Sequence, residues 1–352
     1  MELFKTVDNT QTAIVKELLK TEELLVKICK RLNGQECKVT LLALEDLGFS
    51  NNTTRMHGGF FTGMYAQWES KVPFIPVDAT VNACGVSVYE LKNRLDFEDF
   101  TEKIDEAKKW CAENSIVWNL DSGNHLVSLC QDTETGKQFL VLHASNNDYK
   151  YGGKGLYPRE DVWYFDKIQT ISNGERYIRY IHGDVAVKFY DIYCEAEKEN
   201  PKRNRLFAEK IVGEHNILSE QYFPHYGMPT ESSVAIGCQW LPGEVVLLSA
   251  LNKNIYLIKT AQKFFPHGFG VNVYGDCNIH YKDHKLHLNG QSLNDHNFLS
   301  NERSRNRYAN HEINVDFVRK YLDAREFEIK AELKQICSGS RHGIVKNYIK
   351  EN

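Results

Sequence analysis

The stretch Phe264-Phe265-Pro266-His267-Gly268-Phe269-Gly270-Val271 follows two apolar, strand-like runs, Glu244-Val245-Val246-Leu247-Leu248 and Ile255-Tyr256-Leu257-Ile258. Glycines on either side of Phe269 allow a tight turn, which lifts the histidine clear of a sheet and lets another molecule approach it. Four other places set a His or Cys among Gly, Ala or Asn neighbours: Ala83-Cys84-Gly85, Gly123-Asn124-His125, Leu142-His143-Ala144-Ser145 and Glu214-His215-Asn216. One thiol and four imidazoles gathered together make a soft-to-borderline metal site with a spare imidazole for covalent chemistry.

The rest of the chain is consistent with a folded frame around such a site. Its 352 residues suffice for a large core, and 42% hydrophobic with 26% charged residues is ordinary for a globular protein. A net charge of −4 argues against general coating of nucleic acid but leaves room for a local basic channel. The basic clusters Pro201-Lys202-Arg203-Asn204-Arg205 and Arg303-Ser304-Arg305-Asn306-Arg307 read first as solvated faces. Nine scattered cysteines with no Cys-x-x-Cys pair point to reduced thiols and a cytoplasmic setting. Neither a leader sequence nor a membrane-length apolar run is evident.

Along the chain, residues 11–32 read as an amphipathic helix, Lys38–Leu44 as a strand, and 96–114 as a capped helix with acids early and lysines late. Thr135-Gly136 turns a hairpin whose two strands each carry a histidine at one end, His125 and His143. Tyr151-Gly152-Gly153-Lys154-Gly155 is a glycine-rich loop, and 175–213 reads as a long helix broken at Asn200-Pro201. Strands return from Ser233 to Ile258, and His280, His284 and His287 fall in a solvated hairpin. The expected class is α/β in the mixed α+β sense, one domain over 1–352, with 1–50 as an N-terminal extension.

In order and context these motifs resemble the RtcB family of RNA-splicing ligases. The series is Ala83-Cys84-Gly85, Gly123-Asn124-His125, Val141-Leu142-His143, His215-Asn216, Gly243–Leu248 with Tyr256, Pro266-His267-Gly268-Phe269-Gly270 and Gly343-Ile344-Val345-Lys346. Met56-His57-Gly58-Gly59 is similar to that family's early His-x-Gly-Lys-Gly element. The resemblance implies an RtcB-like domain with a central metal and nucleotide cleft. It implies a Mn2+ ion on Cys84, His143 and His215, and a second ion held by Cys84 and His125. His267 would be the nucleophile that takes GMP from GTP. Asn124, His215, Asn216, Ser249, Tyr256, His267, Gly268 and Lys346 would form the GTP site. The implied substrates are RNA ends bearing a 2′,3′-cyclic phosphate or 3′-phosphate and a 5′-hydroxyl, handled by a monomer. A Cys/His donor set would by intrinsic preference hold zinc more tightly than Mn2+.

The sequence also departs from the family pattern. Val81 stands where the family has an Asp, three residues before the metal cysteine, which weakens the second ion site. Ser128 replaces a Glu expected near guanine, and Val271 replaces the Arg that closes the nucleophile motif. His225-Tyr226-Gly227-Met228 stands for His-Arg-Lys-Gly, and Ala144-Ser145-Asn146-Asn147 for Ser-Gly-Ser-Arg. Several of these losses are cations that would face phosphate. Two further readings therefore stay open: an enzyme that guanylylates ends without sealing them, and a metal-bound pseudoenzyme that recognises RNA ends.

Overall fold

The computed structural model describes residues 2–3, 8–50, 52–121, 125–248, 254–273, 275–293, 308–312, 327–340 and 343–346. Its frame is a 12-stranded, almost wholly antiparallel sheet. Across the sheet the strands run Glu2–Leu3, Val39–Gly48, Thr62–Trp68, Ser233–Ile236, Ile217–Gly227, Cys84–Leu91, Gln138–Ala144, Leu126–Asp132, Phe327–Ser340, Ile255–Thr260 and Gly243–Leu247. Gly343–Lys346 pairs beside this path on Phe327–Ser340. Together with the four α-helices among the described residues this is the mixed α+β class expected. No helix among the described residues is long and apolar enough to cross a membrane.

The predicted N-terminal helix spans Asn9–Asn33 (α1). The Asp8 carboxylate accepts from the Gln11 amide at 2.8 Å, satisfying one of the free donors at the helix start. Ile14, Leu18, Leu24, Leu25 and Ile28 fall on one face and are fully buried, each stabilising the fold by about 1.5–3 kcal/mol. A short helix covers Thr53–His57 (α2), and the second predicted helix covers Phe97–Glu113 (α3), capped by Asp96. The hairpin at Thr135-Gly136 joins Leu126–Asp132 to Gln138–Ala144, and its register sets Leu126 opposite His143. His280 and His287 face each other across the small hairpin expected there, with rings 4.9 Å apart.

Two expectations need correction. Cys29 and Cys37 form a disulfide, with Cα atoms 5.7 Å apart, so the thiols are not all free. The C-terminal turn of α1 folds Cys37 back onto the helix, a proximity that the spacing alone did not disclose. The segment 175–213 is also not one broken helix. Tyr177–His182 is a strand, and the helix Asp184–Val212 (α4) runs straight through Pro201. An interior proline costs a helix about 3 kcal/mol. Here that cost is offset by a buried stripe at helical spacing, including Phe189, Tyr193, Asn200, Asn204, Phe207 and Ile211.

That stripe is unusual because its middle is polar. The Asn200 amide nitrogen donates to the carbonyls of Ala83 (2.8 Å) and Ala144 (3.1 Å), and Asn204 donates to Ser87 Oγ (2.9 Å). The Tyr193 hydroxyl donates to Glu197 Oε2 at 2.7 Å. Burial pushes the Glu197 carboxyl up to about 7, against the pull of hydrogen bonds from Tyr193 and Tyr222. Below the ordinary value of 4.5 both the folded and unfolded carboxyls are protonated and no penalty arises. As pH rises from 4.5 to about 7 the unfolded chain ionises first, so stability falls through that window by roughly 3 kcal/mol and then levels. Glu197→Gln should therefore raise the unfolding temperature at pH 7.5 and make little difference at pH 4. Thermal unfolding of both proteins across that range measures the gap.

Candidate functional site

Antiparallel pairing assembles the site at one end of three neighbouring strands. Cys84 opens the strand Cys84–Leu91, and Gly85 pairs with Ala144, which sets His143 beside it. On the other flank Pro224 pairs with Gly85 and Tyr226 pairs with Cys84. Two steps on one strand against one on the other make His225 the extra residue of a β-bulge, a device that re-aims a side chain. The result is that His143 Nε2 lies 3.1 Å from both Cys84 Sγ and His225 Nε2. All three side chains are buried, and their ligand atoms lie within 4.8 Å of one another.

The surroundings suit a metal ion. His225 Nδ1 donates to the Phe223 carbonyl at 3.3 Å, so its Nε2 lone pair points into the cluster. His125, whose ring lies 5.6 Å from that of His143, donates Nδ1–H to the Asn119 carbonyl at 2.8 Å and likewise keeps Nε2 free. Asn119 is held in turn by the Arg203 guanidinium at 2.8 Å, an outer layer of the kind that orients metal-binding histidines. Burial pushes both His125 and His225 well below the ordinary imidazole range, and it pushes the Cys84 thiol up to about 12. Neutral imidazoles and a buried thiol could hold a divalent cation, whose binding would displace the thiol proton.

His267 stands next in the row, its ring 5.1 Å from His225 and 5.7 Å from Tyr226. Its Nδ1 lies 2.6 Å from Asp46 Oδ2, and the same oxygen accepts the backbone N–H groups of His267 and Gly268 at 3.1 Å each. A carboxylate on Nδ1 fixes the tautomer, and Nε2 is left as the reactive lone pair. The glycines of this turn are sterically required. Gly268 has φ +100°, and a Cβ there would sit 2.4 Å from the Leu248 carbonyl oxygen, while one at Gly270 would sit 2.3 Å from that of Asp46.

Cys84, His125 and His267 all border a cavity of about 490 Å³. Arg55, Lys150, Arg159 and Arg179 border it too, and no carboxylate does among the described residues. Arg179 is neutralised by Asp78, whose Oδ1 lies 2.6 Å from Nη2. Asp78 is thus committed and does not replace the Asp missing at Val81. Arg55 is buried and among the described residues donates to neutral oxygens: Ala79 O at 2.9 Å, Thr80 O at 2.8 Å and Ser50 Oγ at 3.2 Å. Those bonds also pin the segment before Cys84, where Thr80 (φ 44°) and Ala83 (φ 50°) hold strained left-handed conformations.

The structure brings together Cys84, His125, His143 and His267 as expected, but not His215. That residue lies exposed on the turn Glu214–Asn216 after α4, and His225 completes the cluster in its place. Asn216 also lies outside the cavity. Its side chain clamps the backbone of Asn93, accepting from the amide at 2.6 Å and donating to the carbonyl at 3.3 Å. Tyr256 sits on the strand Ile255–Thr260 and donates to Glu332 at 3.4 Å. Gly268 serves the site through its N–H on Asp46. Asn124 and Ser249, and the side chain of Lys346, lie outside the described residues. Asp46 was missed, although an acidic pair, Glu45-Asp46, within an apolar strand run was a readable signal. His225 could have been flagged by Pro224, since proline inside a strand marks a bulge.

No family model matches the sequence, and no curated protein matches it. The cluster geometry makes a direct prediction. His225→Ala should abolish tight Co2+ binding and its thiolate charge-transfer absorption, whereas His215→Ala should leave both intact. Spectrophotometric titration of the two variants decides between the two histidines.

Proposed function

We propose that this chain is a GTP- and metal-dependent RNA ligase of the RtcB type. It would join 2′,3′-cyclic phosphate or 3′-phosphate ends to 5′-hydroxyl ends through a His267–GMP intermediate. The observation that carries this reading is His267 with Nδ1 held by Asp46 and Nε2 free, one ring away from a Cys/His cluster. In the first step Nε2 attacks the α-phosphorus of GTP. A P–N bond forms, the bond to the bridging oxygen breaks, and pyrophosphate leaves with its electron pair. Asp46 keeps the Nδ1 proton and stabilises the positive charge that develops on the ring, as carboxylates do beside nucleophilic or basic histidines.

Cys84, His143 and His225 would hold the ion, with His125 at its edge, and a divalent ion there supplies charge neutralisation for phosphoryl oxygens. Arg55 adds a permanent positive charge whose position is set by three hydrogen bonds, so it needs no reorganisation when anionic substrate arrives. A 2′,3′-cyclic end is first opened by water, which breaks the ester bond to the 2′-oxygen and leaves a 3′-phosphate; GMP then passes from His267 to that phosphate, and the 5′-hydroxyl displaces GMP to close the phosphodiester. Positioning and electrostatics provide most of the catalysis in such phosphoryl transfers.

One observation favours a second reading, guanylylation of ends without sealing. Val271, which lines the cavity, is apolar where the family pattern has an arginine. Both readings require the histidine adduct. Incubation with radiolabelled GTP and Mn2+ should give an acid-labile, alkali-stable protein label that is absent in His267→Ala. Asp46→Asn should slow labelling by roughly 10²–10⁴-fold through loss of the tautomer and of charge stabilisation. Absence of label in metal-loaded wild-type protein overturns both readings and leaves the metal-bound pseudoenzyme.

A further inference from the structure

The segment after the strand Gln138–Ala144 crosses the mouth of the cavity through two tight turns, Asn147–Tyr149 and Gly152–Lys154. It lines the cavity with Lys150, Tyr151, Tyr157 and Arg159. The Arg159 guanidinium lies 4.2 Å from the centroid of the Tyr151 ring, and Tyr157 meets that ring edge-on at 5.8 Å. Tyr151 is 42% exposed and Arg159 is exposed as well, so this flat stack adds little to the core. Among the described residues the Arg159 guanidinium makes no hydrogen bond or ion pair, and the Lys150 ammonium has no carboxylate partner. Lys150 is also partly buried, near Cys84 and Arg55.

An unpaired ammonium inside a cavity calls for an anion, and an exposed tyrosine–guanidinium stack at its mouth calls for a flat, π-rich partner. The spacing along the chain puts the two demands next to each other, at Lys150 and Tyr151. We propose that this segment grips the 3′ end of a single-stranded RNA, with the terminal base stacked on Tyr151 and Arg159 and the terminal phosphate on Lys150. The assignment rests on the ligase reading for the kind of strand end, and it adds where that end is held and what selects it. Every base has a π-face, so recognition of this kind tolerates any sequence. It requires, however, that the last base be unpaired, which excludes blunt duplex ends.

The test uses a 3′-phosphorylated RNA decamer carrying 2-aminopurine as its last base, whose fluorescence is quenched on stacking. Wild-type protein should quench it and bind it, and Tyr151→Ala should lose the quench and bind about 5- to 100-fold more weakly. Tyr151→Phe should behave as wild type, because the ring is kept. A decamer with an abasic last nucleotide should bind wild-type protein as weakly as the full decamer binds Tyr151→Ala. Equal binding and quenching by wild type and Tyr151→Ala, or full affinity for the abasic strand, overturns the proposal. The GTP-labelling assay on wild-type protein reports separately on the ligase reading. Label without Tyr151-dependent binding removes the base platform alone, and Tyr151-dependent quenching without label removes ligation while the platform stands.

Discussion

A single carboxylate oxygen, Asp46 Oδ2, joins the two ends of the described site. It accepts from the ring and the backbone of His267 and from the backbone of Gly268, 221 residues further along the chain. Oδ1 of the same buried carboxylate has no hydrogen-bond partner among the described residues, so the three bonds to Oδ2, each charge-assisted and contributing about 1.5–3 kcal/mol, carry its burial. The bonds therefore fix the imidazole and the turn together. They also explain why the strand Val39–Gly48, which looks like part of an N-terminal extension, is inseparable from the candidate site.

The Cys84/His143/His225 cluster depends on a different device. Three strands supply one side chain each, and none of the three is held by a loop alone. Asn200 of α4 reaches behind two of them, bonding the carbonyls of the residues adjacent to Cys84 and His143. Rigid elements position ligands more closely than loops do, and the proline tolerated at 201 indicates how strongly packing on the sheet holds α4 in place. The polar stripe that provides this support carries its own cost in the ionisation of Glu197.

Much of the frame was legible in the sequence. Helical periodicity located α1 and α3, and the Thr135-Gly136 turn located the hairpin that sets His125 beside His143. The turn around His267 was legible because Gly268 and Gly270 leave so little steric choice. What escaped reading was non-local. Which histidine completes the cluster depends on strand register, and His225 enters only because a bulge turns it there; His215, with the more suggestive neighbours, ends on an exposed turn. Asp46 belongs to a strand whose partners are far away in the chain, so no local pattern ties it to His267. The proline in α4 misled for a related reason, since local propensity was overridden by tertiary packing.

The height of the Cys84 thiol, about 12, bears on the durability of the site. Oxidants attack thiolates far faster than thiols, and a buried, protonated sulfur offers them almost no reactive form. Burial thus slows oxidation of the free thiol, even though Cys84 borders the cavity. Were an ion bound there, the sulfur would become a thiolate backed by His143, His225 and the sheet, and its protection would pass from the proton to the metal bond.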